Sequence, residues 1–167
     1  MSPNITTRPV TPDDLPAISR LHAKVFGPGR FTRTAYRVRE GTAPISRYCR
    51  AATLADRLIA AVHLTPVSVG GEGGALLLGP VAVDPDFASQ GFGKRLISET
   101  MAAAKADGIR LMLLVGDEPY YGRFGFHPVP VGQIMLPGPV DPRRLLAAEL
   151  EPGTLAGMRG LVSGDIA

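Results

Sequence analysis

Val81-Ala82-Val83-Asp84-Pro85-Asp86-Phe87-Ala88-Ser89-Gln90-Gly91-Phe92-Gly93-Lys94-Arg95-Leu96 is the stretch that decides how this chain is read. Apolar, branched residues mark the end of a strand, Asp84-Pro85 stops it, and two glycines lead into a helix. A helix entrance presents N–H groups without intrahelical partners and about half a positive charge, and glycine lets an anion approach that backbone closely. The stretch therefore reads as a phosphate cradle, with Lys94 and Arg95 adding charge. A P-loop would need glycine at position 88 and a hydroxyl residue after the lysine, where the chain has Ala88 and Arg95. A dinucleotide fingerprint would need a small residue where Leu96 stands. A flexible helix entry holding no ligand is the plain alternative.

Outward from the cradle, apolar spacing predicts a helix from about Gly91 to Asp107, with Phe92, Leu96, Ile97, Met101 and Ala104 inward and Gly108 ending it. Ile109–Val115 follows as a compact buried strand. Strand, helix and strand of these lengths predict a crossover with the two strands parallel. Upstream, Tyr48–Leu54, Leu58–Val69 and Ala75–Val83 read as an antiparallel meander, turning at Ala55-Asp56-Arg57 and at Gly70-Gly71-Glu72-Gly73-Gly74. Ile5–Arg8 is a first strand. Thr11-Pro12-Asp13-Asp14 opens a helix to about Phe26, its buried face formed by Leu15, Ile18, Leu21, Val25 and Phe26. A second, basic helix from Thr32 to Glu40 would bring Arg30, Arg33 and Arg37 to one side. A short helix around Tyr120–Phe124 and Pro-rich strands and turns complete the chain. No repeat or linker divides it, so residues 1–167 are expected to form one domain.

Composition narrows the function classes. With 167 residues, one cysteine, 45% hydrophobic and 20% charged residues, the chain has the profile of one globular domain with its own core and no internal disulfide. Its longest apolar run, Ala75–Val83, contains Gly79 and Pro80 and falls far short of the roughly 20 residues that cross a bilayer. The start, MSPNITTRPV, has no continuous apolar segment of the kind that directs secretion, so a cytoplasmic location without a membrane partner is expected. The formal charge of +3 is uneven: the first fifty residues hold most of the excess Lys and Arg. No zinc-ligand pairs, RNA-binding aromatic motif or zipper accompany it, so no nucleic-acid partner is expected. No cluster of metal-ligating residues is visible either, and no metal is expected.

Gln90-Gly91-Phe92-Gly93 at the head of a helix after a strand resembles the acetyl-CoA pyrophosphate loop of the GNAT superfamily of N-acetyltransferases. That family's pattern is Gln/Arg-x-x-Gly-x-Gly/Ala; Gly91 and Gly93 match it, and Ala88 stands where the family has Gln or Arg. A second stretch, Leu114-Val115-Gly116-Asp117-Glu118-Pro119-Tyr120-Tyr121-Gly122-Arg123-Phe124-Gly125-Phe126, is similar to the strand-five and Tyr-x-x-x-Gly-Phe segment of the family, particularly its YhbS-like branch. The order of elements agrees over most of the chain and least in the C-terminal forty residues.

The resemblance implies an α/β fold, a mixed and mostly antiparallel sheet of about six or seven strands, splayed between the fourth and fifth and flanked by helices. It implies acetyl-CoA as cosubstrate, held by Val81, Ala82 and Val83 through main-chain groups and by Ala88, Ser89, Gln90, Gly91, Phe92, Gly93 and Lys94 around the diphosphate. A small-molecule or protein amine would attack the thioester, a backbone N–H near Val81–Val83 would meet the oxyanion, and Tyr121 would be the general acid toward sulfur. Tyr120, Phe124 and Phe126 read chiefly as packing residues. Glu72, Glu118 and His63 remain open as proton acceptors from the amine, as does a water chain; His22, His127 and a buried Cys49 have no assigned part. Arg30, Arg33 and Arg37 would bind a carboxylate or phosphate on the acceptor if they face it, and otherwise form a solvated basic face. A non-catalytic acyl-CoA sensor and a basic interaction module are the alternative functions. Twofold pairing through the C-terminal strands, giving a homodimer, is an expectation for such folds.

Overall fold

The computed structural model describes residues 5–27 and 34–165; Arg30 and Arg33 lie outside them. The elements run β1 (Ile5–Pro9), α1 (Leu15–Phe26), α2 (Thr34–Arg39), β2 (Arg50–Leu54), β3 (Arg57–Val69), β4 (Glu72–Val83), α3 (Phe92–Ala106), β5 (Leu111–Val115), α4 (Glu118–Tyr121), β6 (His127–Pro128), β7 (Ile134–Met135), β8 (Leu145–Glu149) and β9 (Gly160–Gly164). The expected helices and the three-strand meander are present, with local differences at their ends.

Those differences have local causes. Both hairpin turns tighten to two residues, because Ala55 and Asp56 (φ 46° and 66°) and Gly70 and Gly71 (φ 56° and 88°) take the left-handed conformations that match strand twist. Arg57 and Glu72 consequently already pair with Leu54 and Val69, and Gly73-Gly74 belongs to β4 rather than to a turn. At Gly70 a side chain would also collide with the Arg159 carbonyl. Strand β2 starts at Arg50 instead of Tyr48 because Cys49 N–H closes a turn onto the Ser46 carbonyl (3.1 Å), while the Tyr48 carbonyl accepts from Thr100 Oγ1 (2.6 Å) on α3.

Seven strands form the continuous order β1-β2-β3-β4-β5-β8-β6, antiparallel except for the β4–β5 pair. Two more extend it: β9 pairs with Val67–Val69 of β3, beyond the reach of β2, and carries the two-residue β7. The parallel contact is short. Ala75–Leu77 pair with Leu111–Leu113, and from Leu78 onward β4 leaves β5 while staying on β3. Register with β3 shifts there as well, Val62 facing Val81 and Leu64 facing Leu78, so that β4 carries one extra residue around Gly79-Pro80.

Each face of the sheet has its own cover. Leu96, Ile97 and Ala104 of α3 bury against Ala60, Val62, Leu64, Leu76 and Leu78, with Met112, Leu114 and Phe126 completing that cluster. On the opposite face Leu21 of α1, with Ile18, Val25 and Phe26 partly buried, packs on Ala61 and Ala82. Among the described residues no helix is long and apolar enough to cross a membrane.

The start of α1 is held by Asp14, 8% exposed. Its carboxylate accepts two 2.7 Å bonds from the Arg8 guanidinium of β1 and one of 2.8 Å from Thr11 N–H. Those bonds, led by that to Arg8, lower its pKa to about 2. Asp14→Asn is expected to cost about 1.5–3 kcal/mol near neutral pH, the range for hydrogen bonds to a charged group. Because the folded pKa is the depressed one, the stabilisation is complete above the ordinary carboxylate range and disappears as pH falls toward 2. Thermal melts of both proteins from pH 7 downward should therefore converge at the acid end.

Candidate functional site

The glycine stretch opens α3 as its composition predicts. Ser89 (φ 63°) and Gly91 (φ 86°) both adopt left-handed backbone, which turns the chain sharply so that the first N–H groups of α3 face an open cleft. This cleft, of about 540 Å³, is lined by Val81, Val83, Ser89, Gly91, Phe92, Gly93 and Lys94, together with Phe87, Tyr120, Tyr121 and Arg123. Among the described residues neither Lys94 nor Arg123 makes an ion pair, and the Arg123 guanidinium lies 5.0 Å from the centre of the Tyr120 ring. A side chain at Gly93 would stand 3.5 Å from Tyr120 Oη and 3.6 Å from Val83 Cγ2, so glycine keeps this floor low.

Where β4 parts from β5 a second, smaller cavity of about 190 Å³ forms between Leu78, Gly79 and Val81 on one side and Leu114, Val115 and Gly116 on the other. Tyr121 and Val81 line both it and the cleft. The Tyr121 ring packs edge-to-face on Tyr120 (4.8 Å between centres) and on Phe126 (6.1 Å). Burial, reinforced by Tyr120 and Asp117, raises its pKa above the usual phenol value, so the hydroxyl keeps its proton at neutral pH. Thr65 Oγ1 is the one fully buried, unpartnered side-chain oxygen or nitrogen among the described residues; Tyr121 Oη, also without a hydrogen-bond partner there, is not sealed, and its residue lines both the cleft and the wedge.

On the α1 face lies a third cavity, of about 520 Å³, whose walls include Ile18, His22, Phe26, Arg39, Cys49, Ala61, His63 and Pro80. Phe26 lines both this cavity and the wedge, and Pro80 adjoins Gly79 of the wedge wall, so the two spaces share a wall, as the wedge and the cleft do at Val81 and Tyr121. Arg39 Nη1 donates to the Gly79 carbonyl (2.7 Å), tying α2 to the extra residue of β4. His63 Nδ1 lies 3.4 Å from Cys49 Sγ. Burial, then the charge of Arg39 and the neighbouring His22, lower the His63 pKa to about 4 and keep the imidazole neutral.

Seven of the ten cradle residues singled out in the sequence line the cleft. The other three do not: strand alternation turns Ala82 toward Leu21 and Ala61 under α1, while Ala88 and Gln90 are exposed outside the lining. Of the three side chains considered as proton acceptors, His63 alone lines one of these cavities. Glu72 is exposed at the far end of β4, 4.0 Å from Arg110, and Glu118 pairs with exposed His127 (3.2 Å). Arg37 is exposed and lines none of the three spaces. Arg39, two positions later and so on another side of the helix, is the arginine that reaches the site. Arg123 was legible only through its place in the Tyr-Tyr-Gly-Arg run.

Comparison with known proteins agrees with this geometry. Residues 6–129 match the acetyltransferase (GNAT) domain family. The chain is similar to the structure of a GNAT family N-acetyltransferase (YhbS) from Escherichia coli in complex with CoA, with 25% identity and a TM-score of 0.83 over 99% of this chain and 92% of that one. A GNAT family acetyltransferase from Brucella melitensis in complex with acetyl-CoA is 26% identical, TM-score 0.65, over 87% and 96% of the two chains. The ribosomal-protein-S18-alanine N-acetyltransferase from Escherichia coli, 16% identical, shares the fold (TM-score 0.62, 87% and 94% covered). A search of curated proteins finds no significant match. Among the described residues no three His, Cys, Asp or Glu side chains converge as metal ligands.

Gly116 sets where Tyr121 lies. A Cβ at that position would fall 2.5 Å from Tyr121 Cε2 and 3.0 Å from Leu114 Cδ1. Gly116→Ala should therefore displace the ring and lower stability by about 1–3 kcal/mol, the usual cost of overpacking. In Gly122→Ala the new methyl meets only Glu118 Cγ at 3.8 Å. Melting temperatures and near-ultraviolet circular dichroism of the pair should separate the two effects, with Gly122→Ala unchanged.

Proposed function

The chain belongs to the acetyltransferase (GNAT) domain family, and from that premise we propose that it transfers the acetyl group of acetyl-CoA to a primary amine by direct attack through a tetrahedral intermediate. The observation that carries this reading is the succession of spaces: anion-binding helix entrance, wedge, and a cavity beyond, with Tyr121 at the junction of the first two.

The diphosphate of acetyl-CoA meets the α3 entrance, where N–H groups, Lys94 and Arg123 supply positive charge. Ala88 offers no polar side chain to this loop. The pantetheine arm enters between β4 and β5, where the β5-facing backbone of residues 78–83 has no strand partner and acts as a sheet edge. That places the thioester near Tyr121. The amine approaches from the α1 face, its nitrogen attacks the thioester carbon, and backbone N–H near Val81–Val83 stabilises the oxyanion. Collapse breaks the carbon–sulfur bond, and Tyr121 gives its proton to the departing sulfur. The open α1-face cavity suits a small amine or an amine presented by a protein.

Thiol release on mixing acetyl-CoA with a panel of small amines and peptides tests the reading. Tyr121→Phe should reduce kcat about a hundredfold or more while CoA binding, followed by calorimetry, stays within about twofold. A Tyr121→Phe protein with full kcat would remove the residue from the mechanism. Gly93→Ala should fold normally, since its methyl makes only ordinary contacts, yet weaken CoA by roughly tenfold, equivalent to about 1.4 kcal/mol.

A further inference from the structure

We propose that His63, held by Cys49, takes the proton that the attacking amine loses, and that the cavity on the α1 face is where this amine sits; the inference rests on the acetyl-transfer reading above. His63 lies on β3 between the pairs Val62–Val81 and Leu64–Leu78, level with the extra residue of β4, so it stands across the strand from the point at which the wedge opens. Val62 and Leu64 bury on the α3 side, and alternation directs His63 to the α1 side, into the cavity that shares Phe26 with the wedge.

The ring's two nitrogens have different surroundings. Cys49 Sγ accepts from Ser46 N–H (3.4 Å) and Leu64 N–H (3.5 Å), and its own hydrogen is directed at the Leu64 carbonyl (3.6 Å). His63 Nδ1 lies 3.4 Å from this sulfur, and in the proposed tautomer the ring hydrogen is on Nδ1, which donates there and leaves the lone pair on Nε2. No partner meets Nε2 among the described residues, and it is not among the sealed polar atoms, so it opens onto the cavity. Charged and titratable groups facing it are His22 from α1, Arg39 and Glu40 at the end of α2, and Cys49 before β2. None of them is a carboxylate close enough to hold the imidazole protonated, and Arg39 and His22 oppose its charging.

Because the imidazole is neutral, its lone pair is free when the adduct forms. The amine attacks in its neutral form, and once the carbon–nitrogen bond forms, the nitrogen of the tetrahedral adduct is far more acidic than the parent ammonium. The balance is complete: the nitrogen–carbon bond forms, the nitrogen proton passes to His63 Nε2, the carbon–sulfur bond breaks, and sulfur takes the Tyr121 proton. His63 then returns its proton to solvent through the open cavity, and Tyr121 regains one.

The test uses the intact protein with an amine accepted by the wild type, at pH 6 to 9.5. His63→Gln should bind CoA as the wild type does and lose kcat by about 10²–10³-fold. Its residual kcat should climb with pH, as hydroxide replaces the imidazole, where the wild-type kcat is level. Cys49→Ala should lower kcat several-fold, and the double variant should be no slower than His63→Gln alone, as coupled residues require. His63→Ala, melted alongside, guards against misfolding of one variant. A His63→Gln kcat within threefold of wild type, or a change confined to the amine KM, overturns the role of His63 and leaves acetyl transfer standing. A wild type that binds CoA but acetylates no amine overturns both.

Discussion

From Leu78 to Val83, β4 keeps β3 on one edge and has no strand on the other, and an extended backbone in that condition must satisfy its outward N–H and C=O groups elsewhere. Elsewhere in the sheet such an edge would invite another chain. Here it is hidden between two covered faces, so what reaches it must be thin, extended and able to hydrogen-bond as a strand does. A pantetheine arm has that shape and two amides. The extra residue around Gly79-Pro80 makes the parting, and Arg39, bonded to the Gly79 carbonyl, braces it from the α1 side.

That opening also solves a problem of access. The diphosphate needs an exposed, positive helix entrance, whereas acyl transfer gains from a site that water enters poorly. The first lies on the α3 face and the cavity proposed for the acceptor on the other. The sheet itself separates them, and in the proposed reaction the thioester reaches through at the wedge. Asp84, buried at the end of β4, fixes both sides at once: it accepts from Lys24 of α1 and Arg57 of β3 (3.1 Å each) and from Asp86 N–H (3.0 Å) at the start of the loop leading to the cradle.

Much of this was legible in the residues. Short-range rules located the α3 entrance, because glycine, helix periodicity and a preceding strand are local signals, and they located the β4–α3–β5 crossover. The Tyr-x-x-x-Gly-Phe resemblance pointed to Tyr121. What escaped is what only pairing decides. Five turn residues were expected at Gly70–Gly74, but cross-strand pairing of Val69 with Glu72 left two. Strand β7 has only two residues, and β9 is defined by its pairing with the far half of β3, which no local signal announces. Arg37 and Arg39 look alike in the sequence, and helix phase sends only the second to the cavity. Ala82 sits among cradle residues yet faces α1, a consequence of period-two alternation.

The clearest chemical feature is a pair of groups driven apart by the same cause. Burial is the main influence on Tyr121 and on His63, and in each case it disfavours the charged form, holding the phenol protonated and the imidazole unprotonated. Two neutral groups, Tyr121 lining the wedge with a proton to give and His63 lining the α1-face cavity with a lone pair to take one, suit the proposed amide formation from a thioester. Neither state needs a nearby counter-charge, so the site stays ready across the neutral range. In the proposed reaction the oxyanion meets backbone N–H, the adduct nitrogen passes its proton to His63 and Tyr121 gives its own to sulfur, so the charge these two groups acquire lasts only until solvent resets them. The energetic cost of burying a phenol and an imidazole is thus bound up with function, because moving either to the surface would restore an ordinary titration and lose the separation of roles.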